Sequence, residues 1–228
     1  MEISRVLSEK HILDWVNPQH RNAKAVEHLK RNFTHNNPFA HVVLENFFNE
    51  NKIAELLQEL TKEEFLEKES DLFKFMQTHD FATSASKELQ EFRRFLCSDA
   101  FVSYMEAVTQ TKLKTGAIDI AGSLYQNTDY LLPHDDQLES RKIAFMIYLS
   151  SLEARDGGKL ILYRTKGKIP REEEKAIIPQ FNTFVFFKVS EKSFHEVEEV
   201  IINKQRITIG GWFHGEHHKS KLPHARKY

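Results

Sequence analysis

Three side chains with metal-ligand chemistry stand out in this sequence: His134, Asp136 and His195. His134 and Asp136 lie in LPHDDQ, and residues two apart on an extended chain point the same way. They could therefore bind one cation together, although a polar turn would look the same. His195 follows an apolar run, where a backbone carbonyl could equally cap a histidine. Together, two imidazoles and one carboxylate form the facial triad that holds ferrous iron with open coordination positions.

A cation facing the same interior is predicted in RITIGGWFHG. The period of a strand places four residues of this run on one face: Arg206, Thr208, Gly210 and Trp212. Arg206 in an apolar barrel is costly unless an anion meets it. A dicarboxylate cosubstrate could bind Arg206 with one carboxylate and chelate iron with its other end, and Tyr148 could add a hydroxyl. The alternatives are an internal salt bridge to Glu199 or another acid, and simple core packing for Tyr148.

The elements that must position these residues begin with helices. Between about residues 20 and 110, apolar residues recur three and four apart, which predicts helices. The segments are AKAVEHLKRNF, NKIAELLQEL, TKEEFLEKESDLFKFM, SKELQEFRRFL and DAFVSYMEAVTQ. Thr61 with Glu64 predicts a capping box at the start of the third segment. Pro38 and the valines of NNPFAHVVLENFF predict a short strand between the first two.

After Lys112 the sequence breaks into short strand-like runs, separated by turn material such as RDGG and TKGKIPREEE. The runs are AIDIAGSLYQ, KIAFMIYLS, KLILYR, KAIIP, TFVFFKVS and RITIGGWFHG. Several are apolar on both faces, as expected for strands between a cavity and covering helices. We predict an α+β fold in a single domain, 1–228, with a mainly helical part over 1–110, a sandwich or barrel core over 112–215 and a tail over 216–228.

Composition restricts the classes of function. In 228 residues, 32 Lys and Arg face 33 Asp and Glu, so the net charge of −1 gives no general attraction to nucleic acid or anionic membranes. The single cysteine, Cys97, excludes an internal disulfide and a thiolate zinc cluster and fits a reducing compartment. Because the sequence has neither a leader-like N-terminus nor an apolar run that could span a membrane, we expect a cytoplasmic protein.

These motifs resemble a known family. The HxD pair, the distal histidine and the arginine beyond it are similar to the 2-oxoglutarate and Fe(II)-dependent oxygenases, whose core is a double-stranded β-helix, or jelly roll. LLPHDDQLESRKIAFMIYL, PQFNTFVFFKVSEKSFHEV and RITIGGWFHG resemble the catalytic domain of the ribosomal-protein prolyl hydroxylases, over about residues 38–215. HILDWVNPQH is also similar to single-domain microbial relatives of that group.

The resemblance implies a role for each candidate residue. The implied iron ligands are His134, Asp136 and His195. Arg206 and Tyr148 would bind the distal carboxylate of 2-oxoglutarate, Tyr125 would be a further cosubstrate contact, and Trp212 would line the cavity near the substrate. The implied cofactors are Fe(II), 2-oxoglutarate as cosubstrate and O2, with ascorbate as a stimulant of turnover.

The implied activity is hydroxylation of a prolyl residue in a protein, with release of succinate and CO2. The implied partner is a ribosomal or translation-related protein, with no membrane and no direct nucleic-acid contact. The eukaryotic ribosomal-protein hydroxylases carry a second, non-catalytic barrel domain, whereas this sequence ends soon after WFHG, so the choice of substrate does not carry over directly. Two alternatives stay open: an oxygenase of free amino acids or other small molecules, and a non-catalytic barrel scaffold. Asp136 argues against a halogenase, which needs that carboxylate position vacant.

Overall fold

The structure, a computed structural model, describes residues 3–138 and 140–216. The helices are α1 (Ile3–Leu7), α2 (Lys10–Trp15), α3 (Ala23–His35), α4 (Glu50–Leu60), α5 (Lys87–Leu96) and α6 (Asp99–Thr109), with short 3-10 turns at Pro18–His20, Phe81–Thr83 and Ala154–Asp156. The strands are β1 (His41–Leu44), β2 (Leu66–Ser70), β3 (Phe73–Gln77), β4 (Ile118–Tyr125), β5 (Tyr130–His134), β6 (Arg141–Tyr148), β7 (Leu160–Lys166), β8 (Ile169–Ile177), β9 (Thr183–Lys188), β10 (His195–Val197) and β11 (Arg206–His214). No helix in these ranges is long and apolar enough to cross a membrane. The predicted tail, 216–228, lies outside the described residues from 217 onward.

Helix α5 illustrates how local signals set the helical part. Ser86 is its N-cap, and the Ser86 hydroxyl accepts a hydrogen bond from the Leu89 amide at 3.4 Å. Apolar residues at helical spacing bury one stripe of the helix: Leu89, Phe92, Phe95 and Leu96. Helix α3 begins in the same way at Asn22, whose side chain accepts from the Ala25 amide at 2.9 Å. Four of the five predicted helical segments therefore form, as α3, α4, α5 and α6.

The strands form one curled antiparallel sheet in the order β1-β9-β6-β11-β4-β3-β5-β10-β7-β8, with β2 paired to β3. Strand β3 joins its two halves, because it pairs with β4 at Gln77–Ser123 and with β5 at Phe73–Leu131. The sheet therefore wraps around an interior that is lined from both halves. This half-barrel, with helices packed against it, confirms the predicted α+β architecture and its jelly-roll type of core.

Strand β9 shows how the two faces of the sheet are divided. Phe184 and Phe186 belong to the core that the N-terminal helices cover. Val185 and Phe187 alternate with them and pack inside the half-barrel. All four side chains are fully buried. The prediction of strands that are apolar on both faces is therefore confirmed, and it explains why these runs show no polar alternation.

One predicted helix is wrong. TKEEFLEKESDLFKFM forms the hairpin β2–β3 instead, with Leu66 opposite Gln77 and Ser70 opposite Phe73. Strand β3 gains backbone partners in both β4 and β5, and this pairing outweighs the local preference of the acidic and basic residues for helix. Thr61 is accordingly the C-cap of α4 rather than an N-cap, with its amide bonded to the Leu57 carbonyl.

The strand boundaries also differ from the predicted ones. Residues 169–174, predicted as turn, belong to β8, which pairs with β7 from Ile169 to Ile177 with two register shifts. Strands β5 and β10 were not predicted as strands, although they carry two of the candidate metal ligands. Strand β10 has three residues, too few to show a period, and β5 (YLLPH) has five, ends in Pro133 and His134 and buries none of its residues, so that neither stood out as a strand.

Candidate metal and cosubstrate site

Strands β5 and β10 bring the two histidines together. His134 ends β5, His195 begins β10, and the two residues are direct Cα partners in the antiparallel ladder. Their side chains consequently share one face of the sheet, with ring centroids 4.2 Å apart. The ring of Phe187 packs against His195 at 4.6 Å, centroid to centroid. The sheet register therefore fixes the relative position of the two imidazoles.

Asp136 joins the histidines from the loop after β5. Its Oδ1 lies 3.5 Å from His134 Nε2 and its Oδ2 lies 3.4 Å from His195 Nε2. The prediction that His134 and Asp136 meet is correct, but its stated reason is wrong. Asp136 is not extended, because its φ of +61° turns the chain in the left-handed region. Ser193 contacts this turn, since its hydroxyl, which donates to the Ser190 carbonyl at 2.7 Å, also lies 3.0 Å from the Asp135 carbonyl.

Hydrogen bonds at the far side of each ring orient the imidazoles. His134 Nδ1 bonds the Leu132 carbonyl at 2.9 Å, and His195 Nδ1 bonds the Ser193 carbonyl at 2.8 Å. Because a carbonyl oxygen only accepts, both Nδ1 atoms carry a proton, so that Nε2 is the atom of each ring that faces Asp136 and can bind a metal when the ring is neutral. This is the arrangement in which a metal-binding histidine is fixed by its outer hydrogen bond.

The charges in the site are set by burial and by mutual contact. Burial, reinforced by the adjacent His134, lowers the pKa of His195 to about 4, so that His195 is neutral and can donate a lone pair. Burial alone would raise the pKa of Asp136, but His195 and His134 hold it well below its ordinary value. The aspartate is therefore ionised at neutral pH.

This donor set fits ferrous iron. One nitrogen or oxygen from each of the three residues lies within 4.8 Å of the others, so a single ion can be shared. Two imidazoles and one carboxylate are the facial ligands of non-haem Fe(II), and they contain no sulfur that would favour zinc or copper. Asp136 and His195 are shielded from water, with side-chain exposures of 7% and 5%.

Arg206 provides a buried positive charge in the same cavity. The residue is 2% exposed, and its Nε donates to the Gly158 carbonyl at 2.8 Å. Among the described residues, no carboxylate lies within salt-bridge distance of its guanidinium, Glu199 included. The alternative of an internal salt bridge therefore has no described partner. A buried cation of this kind is costly until an anion binds it.

The remaining predicted residues surround this cation. Tyr125 and Tyr148 border the guanidinium, with ring centroids 5.0 and 5.2 Å from the Arg206 Cζ. Burial raises the pKa of both phenols, so they stay protonated. Tyr125 lines the cavity, whereas Tyr148 is fully buried behind it and donates to Met146 Sδ at 3.5 Å.

A single cavity of about 370 Å³ connects the metal-ligand residues with Arg206. Its lining includes the three metal-ligand residues, Arg206, Tyr125 and Trp212. The Trp212 Nε1 is buried and bonds no described residue. The volume suits a small dicarboxylate and one inserted side chain better than a large ligand. The structure thus places six of the seven predicted site residues on one cavity, with Tyr148 directly behind Arg206.

Three further residues of the site were not predicted. Arg141 covers the Trp212 ring, 3.4 Å from Cζ to centroid, and its Nη1 lies 3.7 Å from Asp136 Oδ1. Phe75 stacks on Tyr125 at 4.9 Å, and Gly158 holds Arg206. Arg141 could have been considered as a site residue, because it lies directly before the predicted apolar strand KIAFMIYLS. Phe75 gave none, because its hairpin was predicted as helix.

Comparison with known proteins adds two kinds of finding. Residues 120–214 match the family model of the 2OG-Fe(II) oxygenase superfamily, a stretch that contains all the predicted site residues. Prolyl 3-hydroxylase OGFOD1 of Mus musculus is 40% identical over 182 residues, which cover 78% of this chain and 33% of that protein. Prolyl 3,4-dihydroxylase OGFOD1 of Ostreococcus tauri is 36% identical over 198 residues, which cover 78% of this chain and 38% of that protein. The chain therefore spans only about a third of the length of the curated relatives it matches.

Solved structures share the fold at low sequence identity. A prolyl-4-hydroxylase from Pseudomonas putida superposes with a TM-score of 0.67 at 16% identity, covering 84% of this chain and 99% of the other. A prolyl hydroxylase from Trichoplax adhaerens, solved with a hypoxia inducible factor peptide fragment, gives a TM-score of 0.63 at 17% identity, covering 85% and 93%. At such identities these likenesses concern the fold alone.

Proposed function

Because this chain contains a 2OG-Fe(II) oxygenase domain, we propose that it is a 2-oxoglutarate-dependent dioxygenase that hydroxylates a prolyl residue within a protein. One observation carries the proposal most strongly. The buried Arg206 guanidinium, without an acidic partner among the described residues, shares one cavity with His134, Asp136 and His195. A dicarboxylate that also chelates a metal would satisfy both ends of this cavity at once.

Each residue has a task in this proposal. The facial ligands His134, Asp136 and His195 would hold Fe(II) on one side and leave its other side toward the cavity. Arg206 would bind the distal carboxylate of 2-oxoglutarate. We propose Tyr148 as a second partner of this carboxylate; its hydroxyl donates to the weak acceptor Met146 Sδ, and its ring lies behind the guanidinium.

When bound, Fe(II) with 2-oxoglutarate and O2 supplies the oxidant that places one oxygen atom in a C–H bond, with succinate and CO2 as coproducts. The protein contributes by positioning the reactants and by excluding water from the site. Phe75 and Tyr125, stacked over Arg206, exclude water from the carboxylate site. Trp212, held by Arg141, forms the wall beside the metal ligands, where the side chain to be hydroxylated would enter.

The choice of substrate is supported by the names of the relatives. The curated proteins at 36–40% identity are prolyl hydroxylases, and this chain matches about a third of each. We propose a protein substrate, with a ribosomal or translation-related protein as the first candidate. Stimulation by ascorbate and a cytoplasmic location are further predictions of the same proposal.

The test is 2-oxoglutarate turnover coupled to peptide oxidation. Purified protein with Fe(II), 2-oxoglutarate and O2 is incubated with proline-containing peptides from ribosomal proteins, and succinate and peptide mass are both measured. We expect a mass gain of one oxygen, lost when the proline is replaced by alanine and lost in His134→Ala. The matched control is Lys168→Ala, which changes an exposed residue that does not line the cavity.

The other outcomes separate the alternatives. Succinate formation without oxidation of any peptide, but with a gain of oxygen in a free amino acid, would replace the protein substrate with a small molecule. Failure of the protein to bind either metal or 2-oxoglutarate would refute the oxygenase and favour a non-catalytic scaffold.

A further inference from the structure

A loop remote from the metal ligands holds Arg206 in place. We propose that Asp156, which does not line the cavity, is a positioning residue for the cosubstrate. It fixes the loop 153–158, whose Gly158 carbonyl orients the Arg206 guanidinium. This inference rests on the proposed function, because it gives Asp156 a role only if Arg206 binds 2-oxoglutarate.

The loop contacts the arginine through one hydrogen bond. The Gly158 carbonyl accepts from Arg206 Nε at 2.8 Å. This bond occupies the inner edge of the guanidinium and leaves the terminal nitrogens for an anion. The orientation of the cation therefore depends on where the Gly158 carbonyl points.

The backbone before that carbonyl has an unusual conformation. Gly157 has φ +72° and ψ −158°, a region that is essentially restricted to glycine, and Gly158 has φ +69°. A Cβ on Gly157 would lie 2.0 Å from the Glu199 carbonyl oxygen, and a Cβ on Gly158 would lie 3.2 Å from the Arg206 Cδ. The two glycines allow the loop to approach both β11 and the segment before it.

Hydrogen bonds of Asp156 hold this backbone in place. Asp156 is 2% exposed, and its Oδ2 accepts from the Glu153 amide at 2.8 Å and from Lys204 Nζ at 2.9 Å. Its own carbonyl accepts from the Ile201 amide at 3.0 Å. Lys204 lies two residues before Arg206, the first residue of β11. The loop therefore contacts both the beginning of β11 and the segment just before it. Asp156 holds Lys204, and Gly158 holds Arg206.

Together these contacts explain why a buried carboxylate lies outside the cavity, on the loop that holds the cation of the cavity. The loop makes the orientation of the guanidinium a property of the apoprotein, so that little ordering is left for the moment of binding. Loss of the Asp156 charge would leave Lys204 with the more distant Glu153 carboxylate, 3.8 Å away, and let Gly158 move, and the guanidinium would then sample other positions. Metal binding would not change, because none of these residues touches the metal-ligand residues.

The experiment compares two metal chelators on the Mn(II)-loaded protein by calorimetry. 2-Oxoglutarate reaches both the metal and Arg206, whereas oxalate chelates the metal without reaching Arg206. For Asp156→Asn and Lys204→Met we expect 2-oxoglutarate to bind about five-fold more weakly or worse, and oxalate and Mn(II) to bind as in the unchanged protein. The matched control is Glu198→Gln, which removes the 2.9 Å ion pair to Lys159 between the same two chain segments. It should leave all three affinities unchanged.

The results distinguish this inference from the function it rests on. An unchanged protein that does not bind 2-oxoglutarate overturns the proposed function and this inference with it. Normal binding of 2-oxoglutarate by Asp156→Asn, or an equal loss for oxalate or for Glu198→Gln, overturns the inference alone. Should Asp156→Asn fail to fold, Lys204→Met decides, because Lys204 is half-exposed at 48%.

Discussion

Replacing Arg206 by methionine should separate the binding role of this arginine from a structural one. Arg206 has no acidic partner among the described residues, and the hydrogen bond that it donates to them runs from Nε to the Gly158 carbonyl. Methionine keeps much of the volume of the side chain and removes the charge. The metal-free protein should therefore lose that hydrogen bond, worth about 1 kcal/mol, and the contacts of the guanidinium with the Tyr125 and Tyr148 rings, and it should gain from the removal of a buried cation. We expect the free energy of unfolding to change by less than about 1.5 kcal/mol.

The loss of cosubstrate affinity should be much larger. The two terminal nitrogens of Arg206 can each donate to one carboxylate oxygen, and hydrogen bonds to charged groups contribute about 1.5–3 kcal/mol each. The sum, about 3–6 kcal/mol, corresponds to an affinity for 2-oxoglutarate that is about 10²- to 10⁴-fold weaker. Affinity for Mn(II) should not change, because Arg206 is not one of the three metal-ligand residues.

Two assays check this prediction. Calorimetric titration of the Mn(II)-loaded protein gives the affinity for 2-oxoglutarate, and urea unfolding of the metal-free protein gives the stability. Arg164→Met, at a side chain that is 60% exposed on β7, is the control for the loss of an arginine. The reasoning is refuted if Arg206→Met binds 2-oxoglutarate within about three-fold of the unchanged protein. A loss of 3–5 kcal/mol in stability would also refute it, because that is the usual effect of breaking a buried ion pair.

Three further changes have distinct expected outcomes. Asp136→Ala should abolish metal binding, measured by Mn(II) titration, because it removes the anion that both imidazoles face; retained stoichiometric binding would place the metal elsewhere. Gly157→Ala should lower the unfolding free energy by about 3 kcal/mol or more, because its new Cβ would overlap the Glu199 carbonyl; an unchanged urea midpoint would contradict the loop geometry. Phe184→Ala should cost about 3–5 kcal/mol in urea unfolding yet leave the 2-oxoglutarate affinity of the folded protein intact, because Phe184 packs on the helical side of the sheet; a parallel loss of affinity would contradict the separation of the two faces.

The sequence was most informative where one residue type had only a few compatible environments. An arginine in an otherwise apolar strand implied an anion, and Arg206 does face the cavity from β11. The sequence predicted that His134 and Asp136 lie close together, but it did not predict the backbone conformation that brings them together. That conformation is a left-handed turn at Asp136. It could not be predicted from the residue type, because aspartate adopts the left-handed region only in certain contexts.

The parts that could not be predicted depend on distant contacts. The apolar residues of the β2–β3 hairpin have helical spacing in the sequence. The segment forms strands because β3 pairs with β4 and β5. Phe75, which stacks on Tyr125, was not predicted as a site residue because its hairpin was predicted as a helix. The direct pairing of His134 with His195 is likewise a property of the sheet register, which strands as short as β5 and β10 do not reveal.

The most direct test of the account is a crystal structure with Mn(II) and 2-oxoglutarate. We predict one anomalous scatterer between His134, Asp136 and His195, chelated by the keto acid end of the ligand, with the distal carboxylate on Arg206. A metal bound elsewhere, or a ligand whose distal carboxylate points away from Arg206, would contradict the central claim that these four residues form one cosubstrate site.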